Sequence, residues 1–361
     1  MKKHFYAIAT IAILSIGCEK EQLLNKPSSL LDKDNVTSSK LSILGNPTQL
    51  VTMEDGMLRF LTVEHFLATE TYLRTTTEAW DDSFLALYGH LNDEELNSKE
   101  EEIGHNDEQP LENFENLLGF NSLRKKIFSE ELIWLENDDL DINSDPDNHY
   151  IVDEVIRSLL NENAEVKIGK SIFVMREEAT AQIIDGSLET LEKVRNTDDV
   201  RTLVDRNVKV IEQAIGAGGG VGIGGGPSGG GGTGGGSSDC DAKGLKRDSD
   251  YAKNSNGDRR IKWVVSVWTY PWGCGPIAKT KSYKKKRKGW KKYRTDLYAR
   301  VAGQMVNDKD DCKKYDIYAE KSKKAKKVKT ARVGNLCKTE NKLIYGLHIG
   351  AGVSYSSELS F

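Results

Sequence analysis

Gly216-Ala217-Gly218-Gly219-Gly220-Val221-Gly222-Ile223-Gly224-Gly225-Gly226-Pro227-Ser228-Gly229-Gly230-Gly231-Gly232-Thr233-Gly234-Gly235-Gly236-Ser237-Ser238 divides a chain of 361 residues into two unlike parts. With almost no apolar side chains, such a stretch behaves as a flexible coil with an r.m.s. span of roughly 25 Å. Charge is distributed unequally on its two sides. Through Ser238 the chain carries 21 basic and 42 acidic residues, a net of -21; beyond it stand 30 basic and 13 acidic, a net of +17. The overall charge of -4 therefore hides two separately built units. With 38% apolar and 29% charged residues the chain supports hydrophobic cores but is not a multi-span membrane protein.

Upstream, residues 49–215 read as an acidic, mostly helical α+β domain. Leu50 to Phe60 sets Asp55-Gly56 between apolar runs, a hairpin signal because both turn residues tolerate positive φ. Helical spacing follows in Val63, Phe66, Leu67 and Tyr72, then in Phe84, Leu85, Leu87 and Leu91, and again in Leu117, Leu123, Ile127, Leu132 and Leu135. Ile151, Val152, Val155, Ile156, Leu159 and Leu160 form another apolar stripe. Glu165 to Met175 alternates as two short strands around Gly169-Lys170. Val200, Leu203, Val204, Val208, Ile211 and Ile215 share one helical face and predict a last helix that stops at Gly216.

Downstream, residues 239–361 read as a basic β-domain, an antiparallel β-sandwich or open barrel. Ile261 to Tyr270 is apolar on both faces, as a central strand is. From Leu343 to Tyr355 the odd positions (Leu343, Tyr345, Leu347, Ile349, Ala351, Val353, Tyr355) predict one packed face, and His348 falls on the open face as a solvated side chain. Four cysteines lie in this half: Cys240, Cys274, Cys312 and Cys337. A hairpin of Tyr315–Ala319 with Val328–Val333, turning at Lys324-Ala325, sets Cys312 opposite Cys337 and leaves Cys240 to pair with Cys274. A closed loop of about 25 residues contributes roughly 3 kcal/mol by chain entropy. The alternatives are free thiols or a thiolate metal site, but no Cys-x-x-Cys is present, so neither metal nor cofactor is expected.

The beginning of the chain carries an export pattern: Lys2, Lys3 and His4, then an apolar run from Phe5 to Leu14 too short to span a bilayer. Leu14-Ser15-Ile16-Gly17-Cys18 resembles a bacterial lipobox, although Ser15 stands where Leu is usual; the alternative is an ordinary signal with an incidental cysteine. On the lipobox reading residues 1–17 are a signal peptide, Cys18 is lipidated, and 18–48 form a tether. Glu19-Lys20-Glu21 resembles the acidic stretch that follows the cysteine in Bacteroidota surface lipoproteins, which implies an outer-membrane or cell-surface location.

Several chemical motifs match only formally. Ala164 to Ser171 fits a permissive P-loop, but a helix precedes it and a strand follows, the reverse of a phosphate cradle. Gly226-Pro227-Ser228-Gly229-Gly230 fits a nucleophile elbow inside a segment with no flanking strand or helix. Asn143, Asp145, Asp147 and Glu154 have calcium-loop spacing, yet Asn148 replaces the needed Gly, and acidic helix capping accounts for them more simply. The six histidines form no metal-binding pair, and His65 reads as packed beside core positions. No pair of carboxylates stands out among the many in the acidic half.

Cations with interleaved aromatics are the strongest non-structural signal. One cluster comprises Lys281, Lys284, Lys285, Lys286, Arg287, Lys288, Trp290, Lys291 and Lys292. The other comprises Lys323, Lys324, Lys326 and Lys327. Such density suits a polyanion: an acidic or sulfated glycan, lipopolysaccharide phosphates, or extracellular nucleic acid. It equally suits a solvated face that keeps edge strands apart. A third reading has the basic half docking on the acidic one and masking the patch.

Leu159 to Phe173, with its leucine-rich helix end, Asn161-Glu162 and Glu165-Val166-Lys167-Ile168-Gly169, resembles a helix-to-hairpin segment of uncharacterised Bacteroidota lipoproteins. Ala278 to Lys285 and Gly289-Trp290 are similar to the β half of the same proteins. The resemblance implies compartment and layout; it transfers no catalytic residue. The resulting expectation is a cell-surface lipoprotein acting as a non-enzymatic binding or adhesion module for polyanions, with a secreted hydrolase using a carboxylate site in the first half as the alternative.

Overall fold

The computed structural model describes residues 46–137, 141–212, 242–243, 247–307, 313–330, 339–340 and 344–359. The leader, Cys18, the tether up to residue 45, the Gly-rich stretch, Cys240, Cys312, Cys337 and the side chain of Cys274 lie outside the described residues, and both expected disulfides with them.

A six-stranded sheet organises the acidic half. Asp55 and Gly56, both at positive φ (54° and 74°), turn β1 (Thr52–Glu54) into β2 (Met57–Phe60). β2 pairs in parallel with β3 (Glu165–Ile168), and β4 (Ser171–Met175), β5 (Ala179–Ile183) and β6 (Val208–Glu212) follow antiparallel. Between β2 and β3 run α1 (Val63–Tyr88), α2 (Asp93–Ile103), α3 (Gln109–Leu117), α4 (Leu123–Trp134) and α5 (Glu154–Leu159). Their boundaries follow local chemistry: Thr62 and Ser122 accept N-cap hydrogen bonds, and Asn92 with Glu95 forms a capping box. The helices bury Phe66, Leu123, Ile127 and Ile156 against Leu58, Phe60, Val166 and Phe173 of the sheet. The opposite face packs Met57, Ile172 and Val174 against Leu191 and Val194 of α6 (Leu188–Arg195).

Over the described residues 200–212, the helix expected from Val200 to Ile215 does not form; Ile215 lies outside them. Val200–Thr202 is a single 3-10 turn, Asp205 accepts the Asn207 amide and turns the chain, and Val208–Glu212 closes the sheet as β6. Two spacings were superimposed there, and alternating Val208 and Val210, packed on the α6 side, follow the strand spacing.

The basic half is a β-sandwich. Its inner sheet runs in the order β11 (Gly289–Lys292), β10 (Gly273–Lys286), β9 (Arg259–Tyr270), β8 (Arg247–Lys253), with β14 (Lys327–Lys329) on the same edge of β10 as β11. The outer sheet runs β13 (Lys313–Ala325), β12 (Thr295–Asn307), β16 (Ile344–Gly350), β17 (Val353–Leu359). β7 (Ala242–Lys243) and β15 (Thr339–Glu340) form a separate short pair. As expected, β9 is central. Val265, Val267, Ala278 and Val328 of the inner sheet meet Leu297, Val301, Ile317 and Ile344 of the outer one.

Two expectations about this half are corrected. The hairpin at Lys324-Ala325 does not exist: β13 continues through Ala325, pairing with β12 from Lys313↔Asn307 to Ala325↔Thr295, and the chain then crosses to the inner sheet as β14. Leu343 to Tyr355 is not one strand either, because Ala351 and Gly352, both at positive φ, turn β16 into β17. Moreover, the packed face of β16 is the even one, so that Tyr345 and Ile349 are exposed and His348 is buried. The cause is close approach of the sheets, since a Cβ on Gly346 would lie 2.2 Å from Val265 Cγ2.

Candidate functional site

Pleating gives β10 two faces. Ala278 and Thr280 turn to the outer sheet, whereas Ile277, Lys279, Lys281 and Tyr283 turn to the acidic half. Lys262 on β9 and Lys327 and Lys329 on β14 share that face, so the inner sheet presents a lysine array to carboxylates of the first half.

Asp145 accepts from Lys262 Nζ at 2.5 Å and Tyr251 Oη at 2.7 Å. Asp147 is reached by Arg157 at 2.6 Å, Lys281 at 2.7 Å and Lys262 at 3.1 Å. Glu154 meets Lys279 at 2.7 Å, and Glu131 meets Lys292 at 2.8 Å. Glu108 joins Arg124 and Lys327; Asp153 joins Arg74 and Lys329. Burial alone would raise the Asp147 carboxyl, but Lys262, Lys279, Lys281 and Arg157 outweigh it and hold the group well below the ordinary carboxylate range. Glu154 is held low in the same way, burial being outweighed by Lys279, Lys327 and Lys281. Burial pushes Lys279 down to about 7 against the pull of Asp147 and Glu154.

The carboxylates of this array are not poised as general acids. A general acid needs a carboxyl kept protonated near neutrality, whereas Asp147, Glu154, Asp153 and Glu108 are all shifted the other way. The calcium-like spacing finds its explanation here too: Asp145, Asp147 and Glu154 point at lysine ammonium groups, and Asn143 bonds to Asp141. His65 is packed as expected, its Nδ1 accepting the Leu61 amide.

A second join lies at the other end of the sheet. Fully buried Arg294 reaches Asp81 at 2.7 Å and Glu100 at 2.8 Å, and its backbone exchanges two hydrogen bonds with the Asn97 side chain. Glu94 takes Lys284, Arg259 at 3.0 Å and the Tyr293 hydroxyl at 2.9 Å.

The sequence-derived basic residues consequently divide. Lys281, only 4% exposed, cannot face a ligand. Lys284 meets Glu94; Lys292, Glu131; Lys323, Asp81 and Asp82; Lys324, Asp93; Lys326, Glu100; Lys327, Glu108. Trp290 is 3% exposed beneath the Arg260 guanidinium and packs on Trp134, Leu135 and Tyr283. The second cluster is thus spent on the acidic half. Lys285, Lys286, Arg287 and Lys288 at the β10–β11 turn are exposed, and so is Lys291, whose amine lies 3.3 Å from Glu101. Lys262 and Lys279 stand outside the basic runs 281–294 and 321–329, and the burial of Arg294 and the pairing of Lys329 with Asp153 were not expected of residues within those runs, although Lys279-Thr280-Lys281 and Lys327-Val328-Lys329 carry a period-two signal.

Beside the turn lies a cleft of about 660 Å³ between α4, the segment after α2, and β10–β11. Its walls include Phe128, Leu132 and Leu135 as well as Lys288, Lys291 and Lys292. Phe128 and Leu132 are 39% and 51% exposed, and Lys292 Nζ lies 5.0 Å from the Phe128 ring centroid. His105 also lines it, with a side chain only 5% exposed, its ring stacked on Trp80 and Phe84 and its Nε2 3.7 Å from Asp81.

No family model matches this sequence, and no curated protein does. Among solved structures, a DUF4848 family protein from Bacteroides thetaiotaomicron is similar at 13% identity, with 86% of this chain and 100% of that chain covered and a TM-score of 0.19. A similarity at that score carries no argument about function.

Proposed function

We propose that the protein is a lipid-anchored cell-surface protein, attached through Cys18, that binds polyanionic ligands without catalysis. The observation carrying this reading is the exposure of Lys286, Arg287 and Lys288 at one hairpin tip, with exposed Lys285 and Lys291 on the strands beside it, while Lys284, Lys292 and Lys326 are engaged by carboxylates. Cations gathered at this hairpin attract phosphate, sulfate or uronate groups, with affinity that falls as salt rises. Retention of the full chain on heparin at low salt, with release at high salt, is the test. Replacing Lys285–Lys288 with Ser should abolish retention while leaving the circular dichroism unchanged. A wild-type chain that flows through sinks the reading. Loss of membrane association in Cys18→Ala tests the anchor.

A further inference from the structure

We propose that the cleft between α4 and the β10–β11 hairpin binds an amphipathic anion, a phosphate or carboxylate head carrying a hydrocarbon chain. The proposal rests on the binding reading above for its rim lysines, Lys288 and Lys291, and adds a floor that a polysaccharide or nucleic acid does not need. Phe128 and Leu132 are exposed within the cleft rather than packed. Lys292 Nζ stands 5.0 Å from the Phe128 ring centroid, so charge and hydrocarbon surface lie within one side chain of each other. Sugar hydroxyls or base edges laid over this floor lose hydrogen bonds to water and gain none, whereas an alkyl chain gains burial. Trp290, the ring that would stack on a sugar or base, is 3% exposed and already covered by Arg260. Of the carboxylates that line the cleft, Glu101 meets Lys291, Glu108 meets Arg124 and Lys327, and Asp107 lies 3.9 Å from Lys326; Glu136 lines it as well.

The test titrates the full chain with dodecyl phosphate below its micelle concentration, by calorimetry. Saturable binding is expected, with none for inorganic phosphate and much weaker binding for dodecyl maltoside. Phe128→Ser with Leu132→Ser should weaken binding about tenfold or more and leave heparin retention unchanged, because both side chains are exposed and neither touches the turn. Lys288→Ser with Lys291→Ser should weaken both. No saturable binding of dodecyl phosphate, equal binding of the maltoside, or indifference to the Phe128 and Leu132 changes overturns the proposal. Heparin retention without dodecyl phosphate binding removes the cleft alone; the reverse removes the polyanion reading and leaves the cleft.

Discussion

Gly346 sits where the two sheets of the sandwich come nearest, with Val265 Cγ2 and Ser357 Oγ within 2.3 Å of where a Cβ would stand. Gly346→Ala should therefore cost about 1–3 kcal/mol in urea unfolding, and Val265→Ala in the same chain should restore part of it. Independent, additive losses would refute the close-approach argument. This contact also explains why the face of β16 was illegible in sequence: periodicity assigns the large apolar residues to the core, but here the core face carries Gly346 and Gly350 where no side chain fits, with Ile344 and His348 between and beside them, and Tyr345 and Ile349 are exposed. At Lys281 the cost is electrostatic. Lys281→Met leaves Asp147 and Glu131 short of a partner in a dry site, and a loss of about 3–5 kcal/mol is expected from the same measurement; a loss below about 1 kcal/mol would show that the remaining cations suffice.

Among the elements, the β10–β11 hairpin is fixed to the acidic half by its own backbone: the Trp290 amide donates to the Leu135 carbonyl at 2.7 Å, directly after α4 ends. Gly289 permits this, at φ 90° and with Leu135 O 2.3 Å from where its Cβ would be. Gly289→Ala should loosen the hairpin, and hydrogen exchange at the Trp290 amide should accelerate; unchanged protection would place its cause elsewhere. Short local signals were legible at this scale, as at Asp55-Gly56 and Gly169-Lys170, because a turn is decided by its own residues. The path from β13 to β14 was not, since the choice between a hairpin and a crossing to the other sheet depends on which edge of β10 is vacant, and that is a property of the assembled sandwich.

Across the whole molecule, the opposed charges of -21 and +17 meet in buried pairs. The asymmetry was readable, and docking of the two halves stood among its three readings; the choice between them was not legible, because a lysine on a strand looks solvated until the surface it faces is known. Buried pairs are screened little by salt, so a chain cut within the Gly-rich stretch should still elute as one particle in 1 M salt, and separation into halves there would contradict the network. Acid should act where salt does not. His149 and His348 are pushed down to about 3 by burial, against an ordinary 6.5, so the unfolded chain binds their protons first and stability falls as pH drops below about 6.5. Asp147 and Glu154, held low by their lysines, and Asp153, held low by Arg74 and Lys329, contribute stability above about pH 4.5 and lose it as pH falls further. Thermal melts at stepped pH should show both limbs, and His348→Asn should flatten the first. The aromatic turn between β9 and β10 has a consequence of its own. Trp272 packs 4.2 Å from Phe66, inside the core of the half that is synthesised first, and Glu108 waits for a lysine 219 residues further along the chain. The acidic half therefore reaches its final packing only after the β half has been made: Arg124, Arg74 and Arg157 serve its carboxylates beforehand, but Phe66 still lacks Trp272, and Glu108 and Asp153 still lack their lysines.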